Sequence, residues 1–347
     1  MSTVESDMLA DTTAAAAASK LDETALRREV IANIDRRPDA LYGVYHVAAG
    51  YIQLALLMIF VNFRPAGVGW WIPIVLLVGW TQFRMYFTLH EACHNSLFPN
   101  RGANRIVGDL LSGTLFSAFS SFTTLHMAHH RLFGSQEDPG SVDYFVRFET
   151  RSEMLIFFLG PLLGFSILEK VKTNAWDPML ATLRTTSPSS APSVSGPTPR
   201  GKTSEVVVLL LVQGSIFLAI TGFGARPFDY FLGYLLPALT VFLFLQRLRM
   251  YVEHGPADYS EADYLADNRR SIVRTHRTNP IERPLFSYMN FHYHWEHHLC
   301  PTIPAVHLPE VHERFTRPHL DPDDRAGSFF ATLRRMWKLP ESHPGAS

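Results

Sequence analysis

Two pairs of long apolar runs, separated by polar segments that hold nearly all of the charge, organise this chain. Tyr42 to Phe63 is apolar enough to cross a bilayer, Arg64-Pro65-Ala66-Gly67 makes a turn, and a second hydrophobic helix begins at Trp70. Trp70, Trp71, Trp80 and Tyr86 suit the interface as anchors for it. This helix should run on into water near Arg84, carrying His90, Glu91 and His94. Glu205 to Phe223 and Tyr230 to Leu245 form a second hairpin with its turn at 224–228. The spans are therefore expected at about 42–63, 70–89, 205–223 and 228–247. Residues 103–124 are only moderately apolar, rich in Gly and Ser, with Asp109 inside; a short or re-entrant helix is expected there. Met154 to Leu168 is apolar but broken by Gly160-Pro161, and reads as interfacial or re-entrant.

The polar remainder divides simply. Residues 1–20 read as a disordered tail, Leu21 to Arg37 as a cytosolic or interfacial helix, and Asp39 as a cap for the helix after it. Residues 173–203, rich in Ser, Thr and Pro, read as an exposed flexible loop. Beyond Arg247 the chain is polar except for short patches such as Phe329 to Trp337. The expected organisation is a disordered tail and a cytosolic or interfacial helix over 1–40, a membrane domain over 41–325, and a C-terminal helix and tail over 326–347.

Composition changes this picture little. The hydrophobic fraction of 47% is what a membrane protein with a large aqueous face would show, because the polar segments dilute the apolar runs. Lys plus Arg (31) nearly balances Asp plus Glu (32), so there is no nucleic-acid footprint. Two cysteines, Cys93 and Cys300, fit a reducing environment better than an oxidising one.

The candidate chemistry lies in the histidines. His90 and His94 are spaced i, i+4; His126-Met-Ala-His129-His130 and His294-Trp-Glu-His297-His298 are spaced i, i+3, i+4. Each set covers one face of a helix. Eight convergent imidazoles exceed what one metal can use, so two metals are the economical reading, and imidazole alone leaves iron, copper, nickel and zinc open. Glu91, Asp138 and Glu296 are candidates for holding the outer N–H of these rings, and Asp109, an acid inside an apolar stretch, needs a partner such as one of them. Their plainer alternative is a solvated face or a helix cap. His46, His276, His292, His307, His312, His319 and His343 read as bystanders, and Trp295 as packing over the cap.

If all the clusters meet, they lie on one side of the membrane, and an even number of crossings separates each pair. The hairpin 205–245 supplies two crossings, so 154–168 cannot be a lone span. Lys170, Lys172, Arg184, Arg200, Lys202, Arg247 and Arg249 crowd the site side, whereas each opposite turn carries one Arg; the site and both termini are expected in the cytoplasm.

His90-Glu-Ala-Cys-His94, His126-Met-Ala-His129-His130 with Glu137-Asp138-Pro139 after it, and Asn290-Phe-His-Tyr-His294-Trp-Glu-His297-His298 resemble the three histidine boxes of membrane fatty acid desaturases and related hydroxylases. The resemblance covers roughly residues 40–320. It implies an all-α integral membrane fold with four spanning helices in two hairpins, a cytosolic histidine-rich helical cap, two iron ions, and O2 as co-substrate. It also implies a ninth ligand, His254 in Arg249-Met-Tyr-Val-Glu-His254, and electrons from a partner such as ferredoxin, rubredoxin or cytochrome b5 with its reductase. Relatives often carry Asp where Glu91 stands, and some hydroxylase-like members carry Glu, so this box is not a pure desaturase signature. Introduction of a double bond into a fatty acyl or lipid-like substrate is expected, with hydroxylation or other diiron oxygenation of a lipid or small hydrophobic metabolite as the alternative. Metal transport ranks last, because its polar ligands should lie within the spans.

Overall fold

The structure is a computed structural model that describes residues 22–165 apart from 136, 145, 147 and 149, then 203–255, 273–319 and 327–338. The expected tail at 1–20, the loop at 173–203 up to residue 202, the cations Lys170, Lys172, Arg184, Arg200 and Lys202, and His343 lie outside the described residues.

Among the described residues the regular structure is helical, apart from one isolated bridge between Thr275 and Tyr293. The α-helices of six residues or more are α1 (Glu23–Asn33), α2 (Ala40–Phe63), α3 (Trp71–Cys93), α4 (Arg101–Thr114), α5 (Phe119–Leu132), α6 (Arg151–Leu159), α7 (Thr203–Thr221), α8 (Pro227–His254), α9 (His294–Leu299) and α10 (Phe329–Lys338). The N-terminal boundaries follow from capping. Asp22 accepts from Thr24 N and Ala25 N at 3.0 Å, and Asp39 accepts from Leu41 N at 2.8 Å and Tyr42 N at 3.3 Å, so the carboxylates satisfy amides that have no partner within the helix.

Four helices are long and apolar enough to cross a membrane: α2, α3 with its lead-in turn from Val68, α7 and α8. They are not equivalent. Only 28% of the apolar stretch of α2 and 11% of that of α7 is buried, against 56% for α3 and 50% for α8. Large apolar groups rather than charges are exposed along α2 and α7, as at Ile52, Leu56, Leu210 and Leu218, which is the inverse of a water-facing helix. The chain is a multi-pass membrane protein in which α2 and α7 face outward and α3 and α8 form the inner pair.

Glycine lets that inner pair come close. A Cβ on Gly79 of α3 would sit 2.5 Å from Val241 Cβ of α8. Across from it, α8 carries two widened π turns, Phe231–Leu235 and Ala238–Phe242, on either side of Pro237, which has no N–H to continue regular bonding. Past the expected end near residue 247, α8 continues to His254 because its pattern becomes amphipathic and buries Leu248, Arg249, Tyr251, Val252, Glu253 and His254.

The segment expected as one short helix over 103–124 is instead two, α4 and α5, broken at Leu115–Ala118 where Phe116 takes a left-handed φ of 58°. Carbonyls freed at the end of α4 are satisfied by side chains of other helices: Gln213 Nε2 donates to Gly113 O at 2.7 Å and Tyr234 OH to Thr114 O at 2.5 Å. The nine-residue α6, followed by the turn Gly160–Leu163 and Gly164 at φ 78°, is too short to span a bilayer.

Candidate metal centre

Four elements deliver the clustered histidines to one place. His90 lies in the last turn of α3 and His94 caps it; His126, His129 and His130 occupy the last two turns of α5; His254 ends α8; His294, His297 and His298 lie on α9. All nine rings meet, although up to 208 residues separate His90 from His298 by number (298 − 90).

They sort into two adjoining groups. His90, His94, His126, His130 and His297 form one, with candidate donor atoms all within 4.8 Å of one another; His129, His254 and His298 meet the same limit, and His254 also shares it with His294 and Glu253. Within the first group, His126 Nε2 lies 2.9 Å from both His94 Nε2 and His130 Nε2, and His130 Nε2 lies 3.1 Å from His297 Nε2. Within the second, His254 Nε2 lies 2.9 Å from His294 Nε2. The groups abut through His130 and His298, whose ring centroids are 4.5 Å apart.

This arrangement fits metal ions better than hydrogen bonding. One nitrogen of a neutral imidazole carries either a proton or a lone pair, so His126 Nε2 cannot bond well to two other ring nitrogens at once. Neighbouring donors on a metal at bond lengths of about 2.1 Å and right angles are about 3.0 Å apart, which matches the observed spacings. His298 Nε2, buried beside them, has no hydrogen-bond partner among the described residues.

The carboxylates divide unexpectedly. Asp138 accepts from His129 Nδ1 at 2.8 and 2.9 Å, and from Gly140 N at 2.7 Å and the Tyr144 hydroxyl, so His129 keeps its proton on Nδ1 and turns the Nε2 lone pair inward. Glu91 instead accepts from Ala305 N at 3.1 Å, tying α3 to the segment after α9. Glu296 accepts from His312 Nδ1 at 2.7 Å, Thr316 Oγ1 at 2.5 Å and the Thr275 hydroxyl, anchoring α9 from behind. Asp109 accepts from Arg105 at 2.9 Å on α4 rather than from a clustered imidazole. Sequence reasoning passed over Glu253, whose Oε2 lies 3.4 Å from His294 Nε2, and Arg249, which donates to Glu253 Oε1 at 2.8 Å. Their i, i+4 spacing was the available signal.

Burial, followed by the neighbouring imidazoles, pushes His94 down to about 3 and His130 to about 2, and holds His126 and His298 well below the ordinary histidine range. The same causes, with Arg249 added, act on His294 and His297. Neutral rings keep their lone pairs for a metal. Cys93 and Cys300 are buried and free, and burial raises the Cys300 thiol to about 12, so it remains protonated and a poor ligand. His46 bonds the Tyr288 hydroxyl at 2.6 Å, and His307 Nε2 lies 3.2 Å from Arg37 O, away from the two groups.

A model of the family described as fatty acid desaturase matches residues 68–330, which takes in every clustered histidine. The chain is 25% identical to a dihydrorhizobitoxine desaturase of Bradyrhizobium elkanii over 82% of its own length and 79% of that protein's. It is 28% identical to a sphingolipid delta(4)-desaturase of Xenopus tropicalis over 72% of its length and 66% of the other's. It is also 24% identical to a beta-carotene ketolase of a Paracoccus species, over 67% and 75% respectively. Histidine clusters consistent with a diiron centre, placed at the ends of long apolar helices, agree with that match: the chain belongs to the fatty acid desaturase family, as an oxygen-dependent oxidoreductase of the desaturase and hydroxylase type that modifies fatty acids or lipids.

Proposed function

We propose that the chain introduces a double bond into a fatty acyl or lipid-like substrate, with one iron held by His90, His94, His126, His130 and His297 and a second by His129, His254, His294 and His298. The convergence of nine imidazoles in two adjoining groups carries this reading. Bound there, the iron pair would supply activation of O2 and removal of hydrogen from an unactivated carbon, chemistry that no side chain provides. The protein's share is to keep the rings neutral, to fix the His129 tautomer through Asp138, and to brace the boxes through Glu91 and Glu296.

A cavity of about 230 Å³ bordered by Glu23 and Arg27 of α1 and by His130, Phe133, Trp295 and His298 touches both groups. Desaturation is preferred because two of the relatives above are desaturases by name. The ketolase supports oxygenation as the second reading, since the same ligands serve both and the outcome rests on how adjacent carbons are held. Family membership implies an external electron donor; ferredoxin, rubredoxin or cytochrome b5 with its reductase are the classes to test.

Residues 41–325 act in this reading as one membrane unit of two hairpins. The meeting of His90 on α3 with the other boxes, and of His254 on α8 with His294, supports one common side for those helix ends. Arg247 and Arg249 near that end support the cytoplasm as that side, with both termini.

Comparative mass spectrometry of lipids and metabolites, with isotopically labelled oxygen and a donor system, tests the proposal. Wild type should yield a product lacking two hydrogens and carrying no label, and His129→Ala should lack both product and part of the bound iron while still inserting in the membrane. Label in the product would favour the hydroxylase reading. Unchanged iron and turnover in His129→Ala would remove that residue from the ligand set.

A further inference from the structure

Beside His254 and His294 stands a carboxylate, Glu253, held by an ion pair within its own helix, with one oxygen that makes no hydrogen bond among the described residues. We propose that Glu253 supplies an anionic oxygen donor to the metal of the four-imidazole group, so that the two metal sites are chemically unequal. This rests on the metal-binding reading above and goes beyond its nine histidines.

Glu253 is on the last turn of α8, next to His254, and is 1% exposed. Its donor atom falls within 4.8 Å of those of His254 and His294. Oε1 accepts from Arg249 Nε at 2.8 Å. Oε2 lies 2.8 Å from Arg249 Nη2 without the geometry of a hydrogen bond, and has no hydrogen-bond partner among the described residues. It sits 3.4 Å from His294 Nε2, a separation that two ligands of one metal can have.

The ion pair positions this donor. Arg249, 3% exposed and one helical turn earlier, holds Oε1, with its guanidinium 4.5 Å from the centroid of the Phe87 ring. Arg249 Nη2 also lies 3.4 Å from His294 Nδ1, so the pair reaches that ring from its other side. Glu91, Asp138 and Glu296 differ from Glu253, because each bonds a backbone amide, a hydroxyl or a ring N–H.

Iron content and Mössbauer spectra of the purified full chain, loaded with ferrous iron alone, test this directly. Glu253→Gln keeps an acceptor for Arg249 and removes the anion. It should weaken iron binding at one site by at least about tenfold, halve the iron retained after dialysis, and remove or shift one spectral component while the other stays. Both components unchanged, with full iron retention, would overturn the proposal. Should Glu253→Gln fail to accumulate, Glu253→Asp keeps the charge but withdraws it by one methylene; a shifted single component supports the donor role, and a spectrum identical to wild type overturns it. Failure of wild type to retain two irons would instead defeat the underlying metal-binding reading.

Discussion

The five-imidazole group and the four-imidazole group are built differently. The first takes two i, i+4 pairs, His90 with His94 on α3 and His126 with His130 on α5, and completes them with His297. Helical spacing alone aims both pairs, and the capped, buried end of α3 holds its pair still. The second draws single rings from α5 and α8 and a pair from α9, a helix of six residues. Two acids hold it in place: Asp138 bonds His129, and Glu296 anchors α9 from behind. A short element gathered from distant sequence needs hydrogen bonds to do what a long helix does through its backbone.

The largest test of that contrast is His126→Ala, because its Nε2 is the common neighbour of two rings. Oxidation should become undetectable and iron retention should fall, with the four-imidazole group still binding metal; metal analysis alongside turnover checks this. Loss of both irons would mean that the two groups form one inseparable unit. Asp138→Asn should act next most strongly. An amide can donate as well as accept, so His129 loses its enforced tautomer, and iron affinity or activity should fall about 10- to 100-fold while the protein remains folded. Equal turnover and iron affinity in this variant would show that α5 positions His129 without help.

Much of this could be read along the chain. The four long helices, the Asp39 cap, the Gly160-Pro161 break and the imidazole faces all follow from local periodicity and side-chain chemistry. What escaped is pairing across distance. Nothing local tells that Glu296 is taken by His312 and Thr316, or that Glu91 reaches Ala305, although the i, i+4 spacing of Arg105 and Asp109 was there to be read. The sorting of the rings is likewise tertiary: adjacent His129 and His130 fall in different groups because consecutive helical positions point about 100° apart. The break at Leu115–Ala118 was hidden for a similar reason, since Gln213 and Tyr234 stabilise it from other helices.

The smallest expected effect concerns what the two groups share. Burial comes first among the causes that lower His94 to about 3 and His130 to about 2, and it also leads for His294 and His298. In the metal-free protein these rings stay neutral on acidification, whereas the unfolded chain takes up protons below the ordinary histidine value of 6.5. Stability should therefore be fully present above about pH 6.5 and decline as the pH falls towards 3, by up to about 1.4 kcal/mol per pH unit for each ring. Melting temperatures of the metal-free protein at pH 7 to 5 measure the slope. His94→Gln and His298→Gln should each lessen it by one proton's worth, because desolvation does not distinguish the groups. A slope altered by only one of them would mean that the acids beside the four-imidazole group change the protonation of its rings as well as their orientation.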